Sequence, residues 1–448
     1  MKKIIFPLIV LAFMVMSCNK VLDVKPTDSV AAEDAIKNKA GVEHALIGSY
    51  NALQTTGLYY LNAMIVGDIA ADNLTHTGTM MEYSHIETKP IPAENSIVEG
   101  MWSGAYNGIN CVNNILVKLP AIGDITQAER NQYEGEALYI RALLHYYLAT
   151  YFGGVPIQTQ PTLDLSKIDI ARNTLSEVYT QVIADLISAK AKLSKAKVKG
   201  RANKYAASAL LAKVYLSKFQ ILGDQPSAGL AITEATYVID SAGYALAADY
   251  ASLFLPTINT QESIFEVVFD VQNYTRLAQY FFSRNLSGRY EIAPEAGLIQ
   301  SYESADTLRL AATIAYDTVS KQPYGFKYKD VSGGTDHVYV FRLAEIFLIR
   351  AEALAYSNGS VAGIQADINV IRKRAGLANT SAATIADLKL AVEKECRHEF
   401  AFEGHRWSDL VRTKRAVPLL GINQDYTLFP IPLSELQTNK LMAKNPGY

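Results

Sequence analysis

Cysteine is scarce in this 448-residue chain, which contains three: Cys18, Cys111 and Cys396. Cys18 lies near the N-terminus, and the other two are far apart in segments with helical patterns. No C-x-x-C spacing occurs, so the sequence argues against a disulfide framework and against a cysteine-ligated metal site. We therefore expect Cys111 and Cys396 to be small, buried apolar residues.

The chain also lacks an excess of either charge. It has 42 lysines and arginines against 44 aspartates and glutamates, a formal net charge of −2. Nucleic-acid-binding domains are usually basic, with lysine and arginine clustered on one face. The composition therefore argues against a nucleic-acid partner. Beyond the N-terminal segment, no apolar run is long enough to cross a bilayer.

Common catalytic motifs are missing as well. Neither a phosphate-binding G-x-x-x-x-G-K-[ST] loop nor a dinucleotide-binding G-x-G-x-x-G occurs. In Gly100–Gly104 the serine comes one position too late for a nucleophile elbow. A zinc-protease H-E-x-x-H motif beginning at His398 fails, because its second histidine position is Phe402. The sequence predicts no catalytic residue, no cofactor and no metal site.

The N-terminus has the pattern of a lipoprotein signal. Lys2 and Lys3 precede an apolar stretch from Ile4 to Met16, which is typical of a secretory signal peptide. Ser17 and Cys18 then resemble a lipoprotein cleavage box. We predict that residues 1–17 are removed and that Cys18 carries acyl chains that anchor the protein to a membrane. The alternative is an ordinary signal peptide with an incidental cysteine.

Helical signals dominate the rest of the chain. Capping boxes begin at Thr126, Thr174 and Thr384. Three alanine-spaced helical segments end at glycines that we expect to supply left-handed caps. The segments are RALLHYYLATYFGG from Arg141, SALLAKVYLSKFQILG from Ser208 and EIFLIRAEALAYSNG from Glu345, and the glycines are Gly153, Gly223 and Gly359. Small residues at helical spacing indicate helical hairpins of the TPR type, with three unrelated alanine-rich helices as the alternative.

Two long, irregular regions rich in tyrosine interrupt the helices. They run from about residue 55 to 96 and from about 256 to 337, and loops of this length are usually functional or contain short strands. Ser263 to Val271 alternates in polarity and predicts a strand. The chain has 27 tyrosines, whose rings combine a flat apolar face with a polar tip and suit a hydrated recognition surface.

The segment HEFAFEGHRWSDLVR, from His398 to Arg412, resembles an active site. Glu399 and Glu403 are neighbours on a helix and could serve as the paired carboxyls of a glycoside hydrolase. They are interleaved with aromatic residues and with arginines that could neutralise them. We therefore favour a partly buried ion network that locks helices together, and keep the hydrolase as the less favoured alternative.

Several stretches together resemble the SusD/RagB family of outer-membrane nutrient-uptake lipoproteins. Their order and spacing match the family from end to end. They are VLDVKPTD at Val21, VGDIAADN at Val66, ALYIRALLHYYLATYFGGVPI at Ala137, RLAEIFLIRAEAL at Arg342, IRKRAGL at Ile371, ECRHEFAFEGHRWSDLVR at Glu395 and LFPIPLSELQTNKLMAKNPGY at Leu428.

The resemblance implies a mainly α-helical fold, with a TPR-like superhelical scaffold and a loop-rich ligand-binding half containing a few short strands. It implies residues 18–255 as an N-terminal region and residues 256–448 as a C-terminal region of one globular unit. It also implies a non-enzymatic lipoprotein on the cell outer membrane. Such a protein binds an oligosaccharide, or in some members a peptide, and serves as the lid of a SusC-like TonB-dependent transporter.

The binding loops do not match the family closely, so candidate ligand contacts are chosen by their chemistry. Sugars need flat aromatic faces together with amide, carboxylate and guanidinium partners. Trp102 could instead belong to the core, and Asp72 and Asn73 could merely shape a turn. The predicted ligand-binding residues are Tyr59, Tyr60, Asp72, Asn73, Tyr83, Trp102, Tyr274, Tyr290 and Arg342.

Overall fold

The structure, a computed structural model, describes residues 35–162, 169–255 and 260–448. The predicted signal peptide and lipidation at Cys18 lie outside these residues. In the described part of the chain, none of the helices has the length and apolar character needed to span a bilayer.

Helices make up most of the first half of the chain. Most are long and belong to the scaffold, and two short ones lie between the first and second long helices. The helices are α1 (Lys39–Ala52), α2 (Asn62–Ile69), α3 (Met81–Thr88), α4 (Ser96–Lys118), α5 (Gln127–Phe152), α6 (Leu175–Lys192), α7 (Lys204–Leu222) and α8 (Gln225–Ser241).

The second half mixes short helices with three longer ones. The short helices lie in the irregular region and near the C-terminus, and the longer ones lie between them. The helices are α9 (Leu277–Phe281), α10 (Ala296–Ser301), α11 (Thr307–Thr313), α12 (Leu343–Tyr356), α13 (Val361–Arg374), α14 (Ile385–Glu399), α15 (Arg406–Arg412), α16 (Ala416–Leu420) and α17 (Leu433–Thr438).

The long helices pack in sequence as a continuous array. Each of α4 to α8 packs against the next, α8 packs against α12, and α12 packs against α13 and α14. This arrangement confirms the predicted helical hairpins. Alanine and glycine permit the close approach: Gly108 of α4 lies so near α5 that a Cβ would come within 2.6 Å of Leu144.

The helix ends follow local sequence signals closely. Reciprocal capping boxes form at Thr126 and Thr174, as predicted. At Thr384, the side chain accepts from a backbone N–H in the first turn of α14, without the reciprocal bond of a capping box. Gly223 adopts the predicted left-handed conformation after α7. The prediction for Gly359 is wrong: Asn358 takes the positive φ instead, at 56°, a conformation that asparagine tolerates better than most residues.

Short antiparallel strand pairs organise the irregular regions. The strand predicted from Ser263 is present but ends at Val267 rather than Val271. The strands are β1 (Leu74–His76), β2 (Ser263–Val267), β3 (Ile292–Pro294), β4 (Ile314–Tyr316), β5 (Pro323–Gly325) and β6 (Val338–Arg342). They pair as β1–β3, β2–β6 and β4–β5. The first pair joins the two tyrosine-rich regions, with Thr75 opposite Ala293.

One large hydrophobic core runs through the scaffold and the loop-rich half. A second cluster lies between α12, α13 and α14, and a small third one surrounds Tyr250. Cys396 is buried in the second cluster, as predicted. The prediction for Cys111 is wrong, because its side chain is exposed on α4.

Candidate ligand-binding surface

The segment that resembles an active site is buried in an ion network. Glu399, at the end of α14, and Glu403, in the next turn, both contact the guanidinium of Arg342. Arg342 Nε lies 2.9 Å from Glu403 Oε2, and Lys327 Nζ lies 2.7 Å from Glu403 Oε1. Arg374 also pairs with Glu399. These contacts confirm the predicted ion network, although its main partners are not those nearest in sequence.

The electrostatics of the network oppose acid catalysis. Burial alone would raise the pKa of the Glu399 carboxyl, but Arg374 and Arg342 hold it well below its usual range. Glu403 has a lowered pKa for the same reason, since Arg342 and Lys327 outweigh its burial. A glycoside hydrolase needs one carboxyl that stays protonated near neutral pH. Neither glutamate meets this need, so the hydrolase alternative is wrong.

Three predicted ligand contacts also take part in holding the scaffold together. Arg342 is the centre of the buried network. Asp72 accepts from Arg406 Nε at 2.7 Å and pairs with Arg397 Nη2 at 3.0 Å. Asn73 accepts from Arg397 Nε at 2.9 Å. These bonds tie the loop after α2 to α14 and α15, and we infer a structural role for all three residues.

Three of the predicted aromatic contacts are buried. The Tyr83 hydroxyl donates to Asn62 Oδ1 at 2.9 Å, and its side chain is fully buried. Tyr59 lines a cavity of about 70 Å³. Trp102 Nε1 donates to Glu435 Oε2 at 3.3 Å, and the indole packs in the core beside a cleft of about 740 Å³.

Tyr290 is half-buried and has an unusual backbone. Its φ is 53°, in the left-handed region that non-glycine residues rarely adopt. Its hydroxyl donates to the carbonyl of Pro323 at 2.9 Å, and its own carbonyl accepts from Thr77 Oγ1 at 2.9 Å. Tyr290 therefore fastens the β4–β5 hairpin and the β1 loop to each other.

Two predicted tyrosines do meet at the protein surface. Tyr60 and Tyr274 have ring centroids 6.2 Å apart, and Tyr274 is 41% exposed. Arg276 Cζ lies 5.8 Å from the Tyr274 centroid, and Arg289 Cζ lies 5.0 Å from that of Tyr280. We call these five residues the tyrosine–arginine surface. Burial raises the pKa of the Tyr60 and Tyr280 hydroxyls, and the nearby positive charge of Arg276 partly opposes this increase.

A buried carboxylate supports the tyrosine–arginine surface from below. Glu291 accepts from the backbone N–H groups of Thr79 at 2.8 Å and Met80 at 3.1 Å, and it pairs with Arg289 at 3.2 Å. Burial alone would raise the pKa of Glu291, but these partners lower it, so the carboxylate stays charged. Gly78 leaves the space that this arrangement needs, because a Cβ there would come within 2.0 Å of Glu291 Oε2.

A cleft borders this surface. Its volume is about 300 Å³, and Asn273, next to Tyr274, lines it together with Asp270, Asn51 and Gln54. Amide and carboxylate groups beside exposed aromatic rings are the combination that binds sugar hydroxyls and C–H faces together. In the described residues, no group of three or more histidine, cysteine, aspartate or glutamate side chains is placed to hold a metal ion.

The sequence did not single out Arg276, Tyr280 or Arg289. The signal that could have found the two arginines is an arginine close to a loop tyrosine in the sequence. Arg276 is two residues from Tyr274, and Arg289 directly precedes Tyr290. Tyr280 and Arg289 are nine residues apart, and their contact depends on the turn between α9 and β3.

Comparison with known proteins identifies the family. Residues 20–216 match a family model described as SusD-like, starch-binding and associating with the outer membrane, and residues 317–418 match the model of the SusD family. The chain belongs to the SusD/RagB family, a family of non-catalytic binding proteins. Its class is that of SusD-like glycan-binding proteins associated with the outer membrane.

Individual relatives are similar to this chain over nearly its full length. SusD-like protein P2 of Formosa agariphila is 26% identical, with 100% of each chain covered. A SusD superfamily protein from Bacteroides vulgatus superposes with a TM-score of 0.83 at 22% identity, covering 92% of this chain and 99% of that one. A laminarin binding SusD-like protein gives 0.79 at 25% identity, covering 92% and 100%. These likenesses confirm the predicted mainly α-helical SusD-like fold.

Proposed function

We propose that this protein binds an oligosaccharide on the tyrosine–arginine surface and passes it, as a lid, to a SusC-like TonB-dependent transporter. An acyl group on Cys18 holds it at the outer membrane. The observation that carries the binding proposal is the meeting of exposed Tyr274 with Tyr60 and Arg276 beside an amide-lined cleft. The anchor is supported by the apolar stretch that ends at Ser17 and Cys18.

The chemistry of the surface suits a sugar chain. A tyrosine face can pack on the C–H face of a pyranose ring, while guanidinium and amide N–H groups donate to hydroxyl oxygens. The matched family model is described as starch-binding, and one similar solved structure is a laminarin binding protein. Both descriptions favour a glycan over a peptide as the ligand of this chain.

Titration calorimetry against a panel of oligosaccharides and peptides tests the binding proposal. We expect saturable binding of at least one oligosaccharide, no reaction product, and a loss of about tenfold or more in affinity for Tyr274→Ala, or about 1.4 kcal/mol, since the variant lacks the ring face on which the sugar would pack. Tyr316→Ala is the matched control, because this tyrosine is 55% exposed on β4 and lies outside the tyrosine–arginine surface. Equal affinities for wild type and Tyr274→Ala would contradict the site.

Fractionation of cells that express the full chain tests the anchor and the partner. Wild type should remain with the outer membrane and co-purify in detergent with a TonB-dependent barrel in roughly equal amounts, whereas Cys18→Ala should be released from the membrane. Retention of Cys18→Ala would refute lipidation, and isolation of the anchored protein without a barrel would refute the role as a lid.

A further inference from the structure

Within the described residues, the guanidinium of Arg276 has no acidic partner. The groups that act on its charge are Tyr274, Tyr60 and Tyr280, and none of them is a carboxylate. Its Nη2 lies 3.5 Å from the Tyr274 hydroxyl, at the limit of a hydrogen bond. Its Nε is buried and has no hydrogen-bond partner in the described part of the chain. Among the described residues, the only partners of this guanidinium are therefore tyrosine side chains.

Two other arginines, one on the same surface and one elsewhere, do not share this feature. Arg289, on the same surface, pairs with Glu291 at 3.2 Å. Arg172, which has no acidic partner within reach in the described residues, donates instead to the backbone carbonyls of Gly154 at 2.6 Å and Phe152 at 2.9 Å. Arg276 differs because neither a carboxylate nor a backbone carbonyl of the described residues accepts from its guanidinium.

The nearest acid along the chain takes part in its own turn. Asp270 accepts from the backbone N–H groups of Gln272 and Asn273, each at 2.8 Å, and so stabilises its own turn. Glu291 is likewise held by Arg289 and two backbone N–H groups. The tyrosine–arginine surface thus presents one uncompensated positive charge beside the exposed ring of Tyr274.

We propose that the oligosaccharide is acidic and that Arg276 binds its anionic group, a carboxylate or a sulfate ester. This inference rests on the proposed function and specifies the ligand of the same surface. The planar fork of a guanidinium donates two parallel N–H bonds to such a group, and the bonds are stronger than those to a neutral hydroxyl. Tyr274 would then pack against the ring that carries the charge.

Matched pairs of ligands, one acidic and one neutral, isolate the contribution of the ligand's negative charge to binding. Oligogalacturonides are compared with their carboxyl-reduced, neutral derivatives, and sulfated galactan oligosaccharides with their desulfated forms. Wild type should bind the acidic member of at least one pair about tenfold or more tightly, since hydrogen bonds between charged partners are the stronger ones. Preference within the first pair assigns a carboxylate, and preference within the second assigns a sulfate ester.

Arg276→Gln should remove this preference, because affinity for the acidic member should fall about tenfold more than affinity for the neutral member. The control is Arg415→Gln. Arg415 lies far from Arg276 along the chain, is partly exposed and pairs with Glu393. This variant should keep the preference for the acidic ligand. Thermal unfolding of each variant checks that it is folded. Higher salt should weaken binding of the acidic ligand to wild type more than to Arg276→Gln.

The possible failures are distinguishable. If wild type binds acidic and neutral members equally, or if Arg276→Gln keeps the preference, the inference is overturned while the proposed glycan binding stands. If wild type binds no oligosaccharide of any kind, the proposed function itself fails, and the inference fails with it.

Discussion

At the scale of single residues, Arg342 shows how this protein tolerates buried charge. Its guanidinium, 1% exposed, contacts Glu262 at 2.9 Å, Glu403 at 2.9 Å and also Glu399. A charge withdrawn from water is tolerated only when opposite charges and hydrogen bonds surround it. Arg374 and Lys327 supply further positive charge to the same carboxylates. Removing one member therefore leaves others without compensation.

Glu403→Gln should destabilise the protein strongly. Arg342 and Lys327 would both lose a counter-charge while buried, and breaking a buried pair costs about 3–5 kcal/mol. Glu134→Gln is the control, because Glu134 and Lys192 are 3.2 Å apart on the surface and about one third exposed, so its loss should cost less than about 1 kcal/mol. Urea denaturation compares the two free energies of unfolding. Equal effects of the two substitutions would refute the role given to Glu403.

Asp68 should make stability depend on pH. Burial raises the pKa of its carboxyl to about 7 from 3.8, although Asn73 and the Gly404 N–H favour the charged form. Between these pKa values the folded state binds more protons than the unfolded state, so Asp68 contributes stability at low pH that is lost as pH rises through about 7.

Asp68→Asn removes this titration. Relative to wild type, the free energy of unfolding of the variant should therefore rise between about pH 4 and pH 7, by about 1.4 kcal/mol for each unit of pKa shift. Urea denaturation of both proteins across this range measures the difference. A difference that stays constant with pH would show that Asp68 does not titrate there.

At this scale, the sequence could predict that Glu403 belongs to an ion network, but it could not predict which side chains Glu403 contacts. The missing second histidine and the interleaved aromatic residues excluded a zinc site and favoured an ion network around Glu403. The actual partner Arg342 is 61 residues away and Lys327 is 76 residues away. Pairing over such distances is decided by packing, which a single sequence does not specify. Arg342 was therefore assigned to the ligand rather than to the network.

At the scale of helices and strands, side-chain caps at helix N-termini could be predicted and contacts between distant segments could not. The capping boxes at Thr126 and Thr174 form because each needs residues only three positions apart. The tyrosine–arginine surface brings Tyr60 against Tyr274, which lies in the other irregular region. Beside them, Thr275 Oγ1 donates to the Tyr60 carbonyl at 2.5 Å, a contact between residues 215 positions apart that no local pattern reveals.

Helix α2 depends on a close crossing that only glycine permits. Every residue of α2 is buried, and a Cβ on Gly67 would come within 1.9 Å of the carbonyl oxygen of Gly404. Gly67→Ala should therefore destabilise the protein by about 3 kcal/mol or more, because rigid backbone would have to move. Gly404 has a φ of 78°, so the turn before α15 cannot easily adapt.

Gly48→Ala is the control for this prediction. Gly48 lies inside α1 with no atom near enough to contact an added Cβ. Alanine is the better helix former, so this substitution should stabilise the protein by about 0.5–1 kcal/mol. Urea denaturation measures both variants. Changes of the same sign and size would mean that the crossing at Gly67 is not tightly packed.

At the scale of the whole molecule, the regions predicted at residues 18–255 and 256–448 are interleaved. Strand β1 of the first pairs with β3 of the second, and α8 packs against α12. Lys213 Nζ lies 2.7 Å from Glu345 Oε1, and Asp72 pairs with Arg406. Chains longer than about 250–300 residues usually divide into separate domains. The contacts between these two regions favour a single folding unit instead.

A single unit should unfold in one cooperative transition. In calorimetry of the mature chain, the calorimetric and van 't Hoff enthalpies should agree, and a bound glycan should shift the whole transition upward. Residues 35–255 expressed alone should not fold, because α8 and β1 would expose the apolar faces that α12 and β3 cover, whereas co-expression with residues 256–448 should restore folding. Two resolved transitions, with the glycan shifting one of them, would instead mean that the two regions are independent domains.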